Sequence, residues 1–166
     1  MTEFQIIEAK EEDVRNISEI YVENWKQIYG PLFPDSDIEK MTIQQGMKIW
    51  SDFSTVKHNK INIIYVNNKA AGFIAISPDK YVGNTVYVDS LHISKKFRRL
   101  GLGTFLLESV LKEAQKKLEN VSICIIKGND GARNLYVKLG AEHYLNFEDK
   151  LNGISTQSEK LLWSLE

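Results

Sequence analysis

The sequence predicts an α/β domain of the mixed-sheet kind, with antiparallel strands in the first half and one strand–helix–strand unit in the second, residues 1–166 making a single domain. Three observations predict it. Short apolar runs bounded by Asn, Pro and Asp turns recur between residues 61 and 94. Two long stretches, 11–29 and 101–118, carry apolar residues at helical spacing. Directly after the second, residues 121–126 form an almost continuous apolar run, as in a strand covered on both faces. A strand reached through a helix pairs in parallel with the strand before that helix.

In chain order, residues 4–9 form a short strand. Glu11, Glu12 and Asp13 then place carboxylates in a first helical turn, where they complement the helix dipole. Val14, Ile17, Tyr21, Trp25 and Ile28 mark the apolar stripe of a helix over 11–29, which Gly30-Pro31 ends. Pro34-Asp35-Ser36-Asp37 reads as a turn, and Ile43, Met47 and Trp50 as a second, shorter helix. Residues 61–66 and 70–77 form a hairpin across Asn67-Asn68, residues 78–84 turn the chain again, and 85–94 add a third antiparallel strand. Over 101–118, Leu107, Leu111, Ala114 and Leu118 mark one helix face, widened by Leu106 and Val110. Ala132, Leu135, Tyr136 and Leu139 mark a short helix stopped by Gly140, and 142–147 and 161–165 supply two late strands.

Composition narrows the function classes. With 166 residues, 43% of them hydrophobic, the chain can bury a core without disulfide or metal staples. Its 21 basic and 22 acidic residues leave a net charge of -1, so no global field draws it to nucleic acid or an anionic membrane. One cysteine, Cys124, and three scattered histidines give no disulfide framework and no metal-ligand spacing, which points to a reducing, cytoplasmic setting. The apolar runs are shorter than a membrane span or a signal segment. A late strand left at a sheet edge would allow a homodimer as readily as a monomer.

Arg98-Arg99-Leu100-Gly101-Leu102-Gly103-Thr104 falls between the third strand and the long helix. Glycines there leave successive backbone N–H groups uncovered at the positive end of a helix, a geometry suited to a pyrophosphate. No Gly-Lys-Ser/Thr follows, and the third glycine of a dinucleotide fingerprint is missing, so neither familiar nucleotide loop is present. A lone Gly-x-Gly also opens helices that bind nothing. The expected parallel pair, however, opens a crevice at the strand C-terminal ends, beside residues 98–104, where ligands of open sheets sit.

Three blocks of the chain resemble the GNAT superfamily of acyl-CoA-dependent N-acetyltransferases. Residues 91–103, Leu-His-Ile-Ser-Lys-Lys-Phe-Arg-Arg-Leu-Gly-Leu-Gly, are similar to the family's strand running into its Arg/Gln-x-x-Gly-x-Gly/Ala pyrophosphate loop. Residues 129–141 are similar to its Asn-x-x-Ala-x-x-x-Tyr-x-x-x-Gly segment, through Asn129, Ala132, Tyr136 and Gly140. Trp25, residues 29–35 and Trp50 are similar to the first two helices of many bacterial members. The resemblance implies acetyl-CoA as cofactor, its pyrophosphate on backbone amides from Arg99 through Leu100, Gly101, Leu102 and Gly103 to Thr104, with Arg98 flanking. It also implies that Leu91, His92 and Ile93 pair through their main chain with the pantetheine arm, much as a peptide adds to a strand edge. Asn129 would reach the same arm, and Tyr136 would face the thioester sulfur.

Acetyl transfer to an amine needs a neutral amine, a thioester close by, a polarised carbonyl and a proton for the leaving thiolate. A phenol with a free pKa of ~10 is protonated at neutral pH, so Tyr136 can act as that acid. Its other reading is a packed aromatic on a short helix, just as Asn129 can simply start that helix. The glutamate that many family members carry on the third strand falls at Tyr87, so that carboxylate is absent. Asp89, two residues on, shares the strand face and is the candidate base, the alternative being an ion-paired strand Asp. His92 would need a bulge to reach that face and stands in reserve. Cys124, in an apolar strand, reads as a core residue rather than a nucleophile, which leaves direct attack in a ternary complex. The acceptor pocket would come from residues 25–55, with Trp25, Tyr29, Phe33 and Trp50, and from a loop over 149–158. A non-catalytic acyl-CoA-binding or regulatory module would keep the glycine loop and dispense with the base.

Overall fold

A computed structural model describes residues 3–151 and 154–165. Its seven strands are β1 Phe4–Glu8, β2 Lys60–Val66, β3 Lys69–Pro78, β4 Thr85–Ile93, β5 Asn120–Ile126, β6 Glu142–Leu151 and β7 Ile154–Trp163. Five α-helices intervene: α1 Val14–Tyr29, α2 Asp35–Ile38, α3 Ile43–Thr55, α4 Leu102–Lys116 and α5 Asp130–Lys138. The strands form one mixed sheet in the hydrogen-bonded order β1-β2-β3-β4-β5-β7-β6. The chain divides into two compact units, 1–76 with 90–109 and 77–89 with 110–166.

In the first unit β1 pairs antiparallel with β2, Ile6 opposite Ile64, and β2 pairs antiparallel with β3, Ile63 opposite Phe73. Asn67 and Asn68 join β2 to β3 with φ of 49° and 68°, the left-handed pair that a two-residue hairpin requires and that Asn tolerates. The predicted acidic first turn of the helix at 11–13 is instead a separate 3-10 turn. Asp13 is buried there, accepting the Lys10 N–H at 2.8 Å and the Tyr65 hydroxyl at 3.0 Å. One face of α1 (Val14, Ile17, Ile20) closes a core with Trp50 of α3 and Ile61, Ile63, Phe73 and Ala75 of the sheet. The Trp50 indole N–H has no hydrogen-bond partner among the described residues; it lies among the rings of Tyr21, Phe53 and Phe73. Residues 34–37, expected as a turn, begin the one-turn helix α2, with Pro34 at its N-cap where a missing N–H costs nothing.

The second unit contains the parallel pair: residues 85–88 of β4 lie beside 120–123 of β5, in register from Thr85 and Asn120 to Val88 and Ile123. β7 then pairs antiparallel with β5, and β6 with β7. The two late strands run much longer than 142–147 and 161–165, since Asp149 pairs with Thr156 and Ser158 with Phe147. The expected acceptor loop over 149–158 is therefore the far half of a hairpin, residues 152–153 lying outside the described ones. Its polar, mostly exposed residues carry no hydrophobic alternation, so main-chain pairing, helped by the Ser155 and Thr156 hydroxyls bonding across to Glu148 and Asp149, defines it. One helical expectation also fails: Leu118 is 69% exposed, because the chain leaves α4 there with φ of 58°.

Candidate active site

In the first unit, β4 ends at Ile93 and passes through a 3-10 turn, Lys95–Phe97, into the bend that opens α4. Arg99 and Gly101 adopt left-handed φ of 68° and 75°. Gly101 O accepts the Phe105 N–H at 3.0 Å, so the amides of Leu102, Gly103 and Thr104 form the first turn of α4, where helix geometry supplies no acceptor. A Cβ on Gly101 would meet nothing within 4 Å, so what glycine provides there is its backbone conformation and an open approach. A Cβ on Gly103 would stand 3.6 Å from Ile93 Cγ1, an ordinary contact. Gly72 of β3 carries no local sequence signal, yet a Cβ there would stand 2.7 Å from His92 O and 2.4 Å from Ile93 Cδ1. Only glycine lets β3 approach the end of β4 so closely, and Ser94 N–H closes the contact on Ala71 O at 2.7 Å.

His92 and Arg98 turn towards α1. The imidazole packs edge-on to Tyr21 at 5.3 Å and beside Phe73 at 5.5 Å. Burial, then the nearby Arg98 charge, lowers its pKa to about 4. Asn24 of α1, 3% exposed, stands at the centre of this corner. Its Nδ2 donates to Ile93 O at 2.9 Å and lies 3.4 Å from His92 Nδ1. Its Oδ1 accepts from Arg98 Nη2 at 3.0 Å, and the same nitrogen donates to Gln27 Oε1 at 2.9 Å. Neither Asn24 nor Gln27 stood out in the sequence, where a polar residue beside the apolar stripe of a helix is unremarkable. Of the expected acceptor-lining rings, Trp25, Phe33 and Trp50 are buried, and Trp25, Tyr29 and Phe33 pack on one another. They form core.

In the second unit, Tyr87 of β4 hydrogen-bonds Cys124 of β5. Burial above all, then the nearby Asp89 carboxylate and the hydrogen bond with Cys124, hold the Tyr87 proton far more tightly than in a free phenol. Burial likewise pushes the Cys124 thiol up, outweighing the pull of Tyr87 and Lys160, so it remains a thiol at neutral pH. Lys160 of β7, 6% exposed, lies 5.6 and 5.7 Å from the ring centres of Tyr81 and Tyr87 and 2.5 Å from Asp79 Oδ2. Burial raises the Asp79 carboxyl, but hydrogen bonds from Lys160, Ser122 and the Tyr81 and Val82 amides outweigh it and leave the pKa lowered. Asp89, on the same strand face as Tyr87, is exposed. Nothing local signals the Asp79–Lys160 pair, because residues 81 positions apart meet only once β7 inserts beside β5.

Asn129 is the N-cap of α5, yet its side chain makes no capping hydrogen bond. It borders a cavity of about 500 Å³ together with Asp130, Arg133, His143 and Glu159. Glu159 accepts from Arg133 Nε at 2.7 Å and Nη2 at 3.1 Å and from His143 at 2.6 Å, and the Arg133 bonds first, then His143, lower its pKa against burial. Tyr136 is 8% exposed, with its ring 6.1 Å from that of Trp163, which in turn donates to Leu139 O at 3.1 Å. Among the described residues no three His, Cys, Asp or Glu side chains could hold a metal, and no helix is long and apolar enough to cross a membrane.

The fold is shared with solved acetyltransferases. An N-acetyltransferase from Staphylococcus aureus matches with a TM-score of 0.75 at 18% identity, covering 99% of both chains. The PaiA N-acetyltransferase from Thermoplasma acidophilum, solved with coenzyme A, matches at 0.70 and 17%, covering 95% of this chain and 99% of that one. YncA from Salmonella typhimurium, solved with acetyl-CoA, matches at 0.72 and 15%, covering 99% and 95%. Comparison with curated protein sequences finds no match. The profile of the acetyltransferase (GNAT) family matches residues 16–141, which takes in most of α1, the glycine bend and all of α5, and the chain belongs to that family.

Proposed function

We propose that this acetyltransferase moves an acetyl group from acetyl-CoA to a primary amine of a small molecule or protein, by direct attack in a ternary complex. The observation that carries the reading is the bend over 98–104, where left-handed Arg99 and Gly101 lead into the first amides of α4, which have no helical acceptor, beside open space at Gly101 and a basic run. That cradle fits a diphosphate, which needs several N–H donors and open space rather than a side-chain base. Arg98, Arg99, Leu100, Gly101, Leu102, Gly103 and Thr104 would hold it. The main chain of Leu91, His92 and Ile93, past the last β4 residue in register with β5, would hold the pantetheine arm, with the Asn129 amide. Acetyl-CoA supplies the thioester.

In this reading the Leu91–Ile93 strand polarises the carbonyl, Tyr136 donates a proton to the departing thiolate, and Asp89 takes one from the amine, directly or through water. Tyr87 keeps its proton, and a pKa lowered to about 4 makes His92 a weak base, so Asp89 is the better candidate for that role. A second reading, an acyl-CoA-binding module without turnover, has one observation in its favour: the strand position of the family's glutamate is a tyrosine that does not ionise. Thiol release from acetyl-CoA across a panel of amines, run beside a thermal-shift titration with CoA, separates them. Binding with release is expected. Binding without release on any amine leaves the module, and no binding removes both.

A further inference from the structure

Arg98 is held by oxygen atoms that carry no charge. Its Nη2 donates to Asn24 Oδ1 and Gln27 Oε1, and its Nε lies 3.4 Å from Ile93 O. Among the described residues no carboxylate pairs with it, although the chain has 22. The contrast is with Arg133, whose guanidinium is neutralised by Glu159 through two hydrogen bonds. Amide oxygens fix a guanidinium as firmly as a carboxylate does in direction, but they leave its field intact. Arg98 also lies one residue before the left-handed Arg99, in the segment that leads into the amide cradle.

We infer that Asn24 and Gln27 are positioning residues that hold Arg98 against α1 with its charge unspent, so that a fixed cation faces the cofactor diphosphate. The inference rests on the acetyl-CoA reading above and adds residues of α1 to it. Two neutral side chains do what an acid at either position would undo. Gln27 is the decisive one, since it is exposed and Gln27→Glu keeps the accepting oxygen in place while adding a negative charge.

The test uses full-length wild type, Gln27→Glu and Gln27→Met. Gln27→Glu should fold with an unchanged or slightly raised melting temperature, because it gains an ion pair with Arg98. Its affinity for CoA should nevertheless fall about three- to tenfold, with a flatter dependence on ionic strength than wild type. The loss should be equal with dephospho-CoA, which keeps the diphosphate, and should appear in the KM for acetyl-CoA rather than in kcat. Gln27→Met, which removes one tether without adding charge, should lose less affinity than Gln27→Glu. A merely structural role predicts the reverse order, with Gln27→Glu the better binder, and that result overturns the inference. So does a loss confined to CoA and absent with dephospho-CoA. Failure of wild type to bind CoA at all would instead strike the acetyl-CoA reading.

Discussion

Lys160 and Asp79 form an ion pair closed off from solvent, with side chains 7% and 1% exposed and Nζ 2.5 Å from Oδ2. Two charges taken out of water are tolerated because each is satisfied several times over. Asp79 also accepts the Ser122 hydroxyl at 2.6 Å and two backbone amides, while Lys160 faces two tyrosine rings. Lys160→Ala leaves a buried carboxylate unpaired and should destabilise the protein by about 3–5 kcal/mol. The double change Lys160→Met with Asp79→Leu should recover most of that loss. Urea unfolding of the three variants measures it, and a Lys160→Ala cost below about 1 kcal/mol would mean that water reaches the carboxylate.

Acid should unfold the protein in two separable stages. The His92 pKa is lowered to about 4, so between its free value near 6.5 and about 4 the unfolded chain binds a proton the native state refuses. Stability therefore falls on acidification through that window, by up to about 3 kcal/mol. The Asp79 and Glu159 carboxyls are shifted downward as well, but from the lower carboxylate range. Their contribution is present above the ordinary carboxylate range and is lost only as pH falls below it. Replacing His92 by Gln should abolish the upper stage and leave the lower; an unchanged slope between pH 6.5 and 4 would show that the imidazole is not shielded.

The glycine bend separates fold from binding. Gly103→Ala should leave the melting temperature within about a degree, given the open 3.6 Å contact with Ile93 and the better helix propensity of Ala. Gly101→Val must force a β-branched residue to a φ of 75° and should cost about 1–3 kcal/mol while abolishing the thermal shift given by CoA. Calorimetric binding of CoA to both variants checks the pair. Retention of wild-type affinity by Gly101→Val would remove the bend from the cofactor site.

The proton-transfer roles are open to kinetics. Tyr136→Phe should lower kcat by about a hundredfold with little change in acetyl-CoA affinity, and equal turnover would remove Tyr136 from the acid role. Asp89→Asn should lower kcat/KM comparably, and unchanged kcat/KM would remove Asp89 from the base role. No limb should titrate near the free histidine value, because His92 is neutral throughout that range. A limb near 6.5 that vanishes in a His92 variant would make histidine the base.

Most strands and helices could be read from the sequence because each advertises its own buried face. The stripe of α1, the apolar run of β5 and the paired asparagines between β2 and β3 are local signals of period and turn chemistry. The same holds for the bend over 98–104, whose glycines mark main-chain geometry directly. What escaped were contacts set by long-range placement. Asn24, Gln27 and Arg98 meet because the end of β4 lies against α1, and Asp79, Ser122 and Lys160 because β7 inserts between β5 and β6. The polar hairpin of β6 and β7 escaped for a related reason: its strands are held by main-chain hydrogen bonds, to which side-chain pattern is blind. The sequence by itself thus determined the elements, the glycine bend and the family resemblance. Only the tertiary structure decided which polar groups are buried, whose charge is cancelled and whose is left free, because desolvation and pairing depend on neighbours distant in the chain.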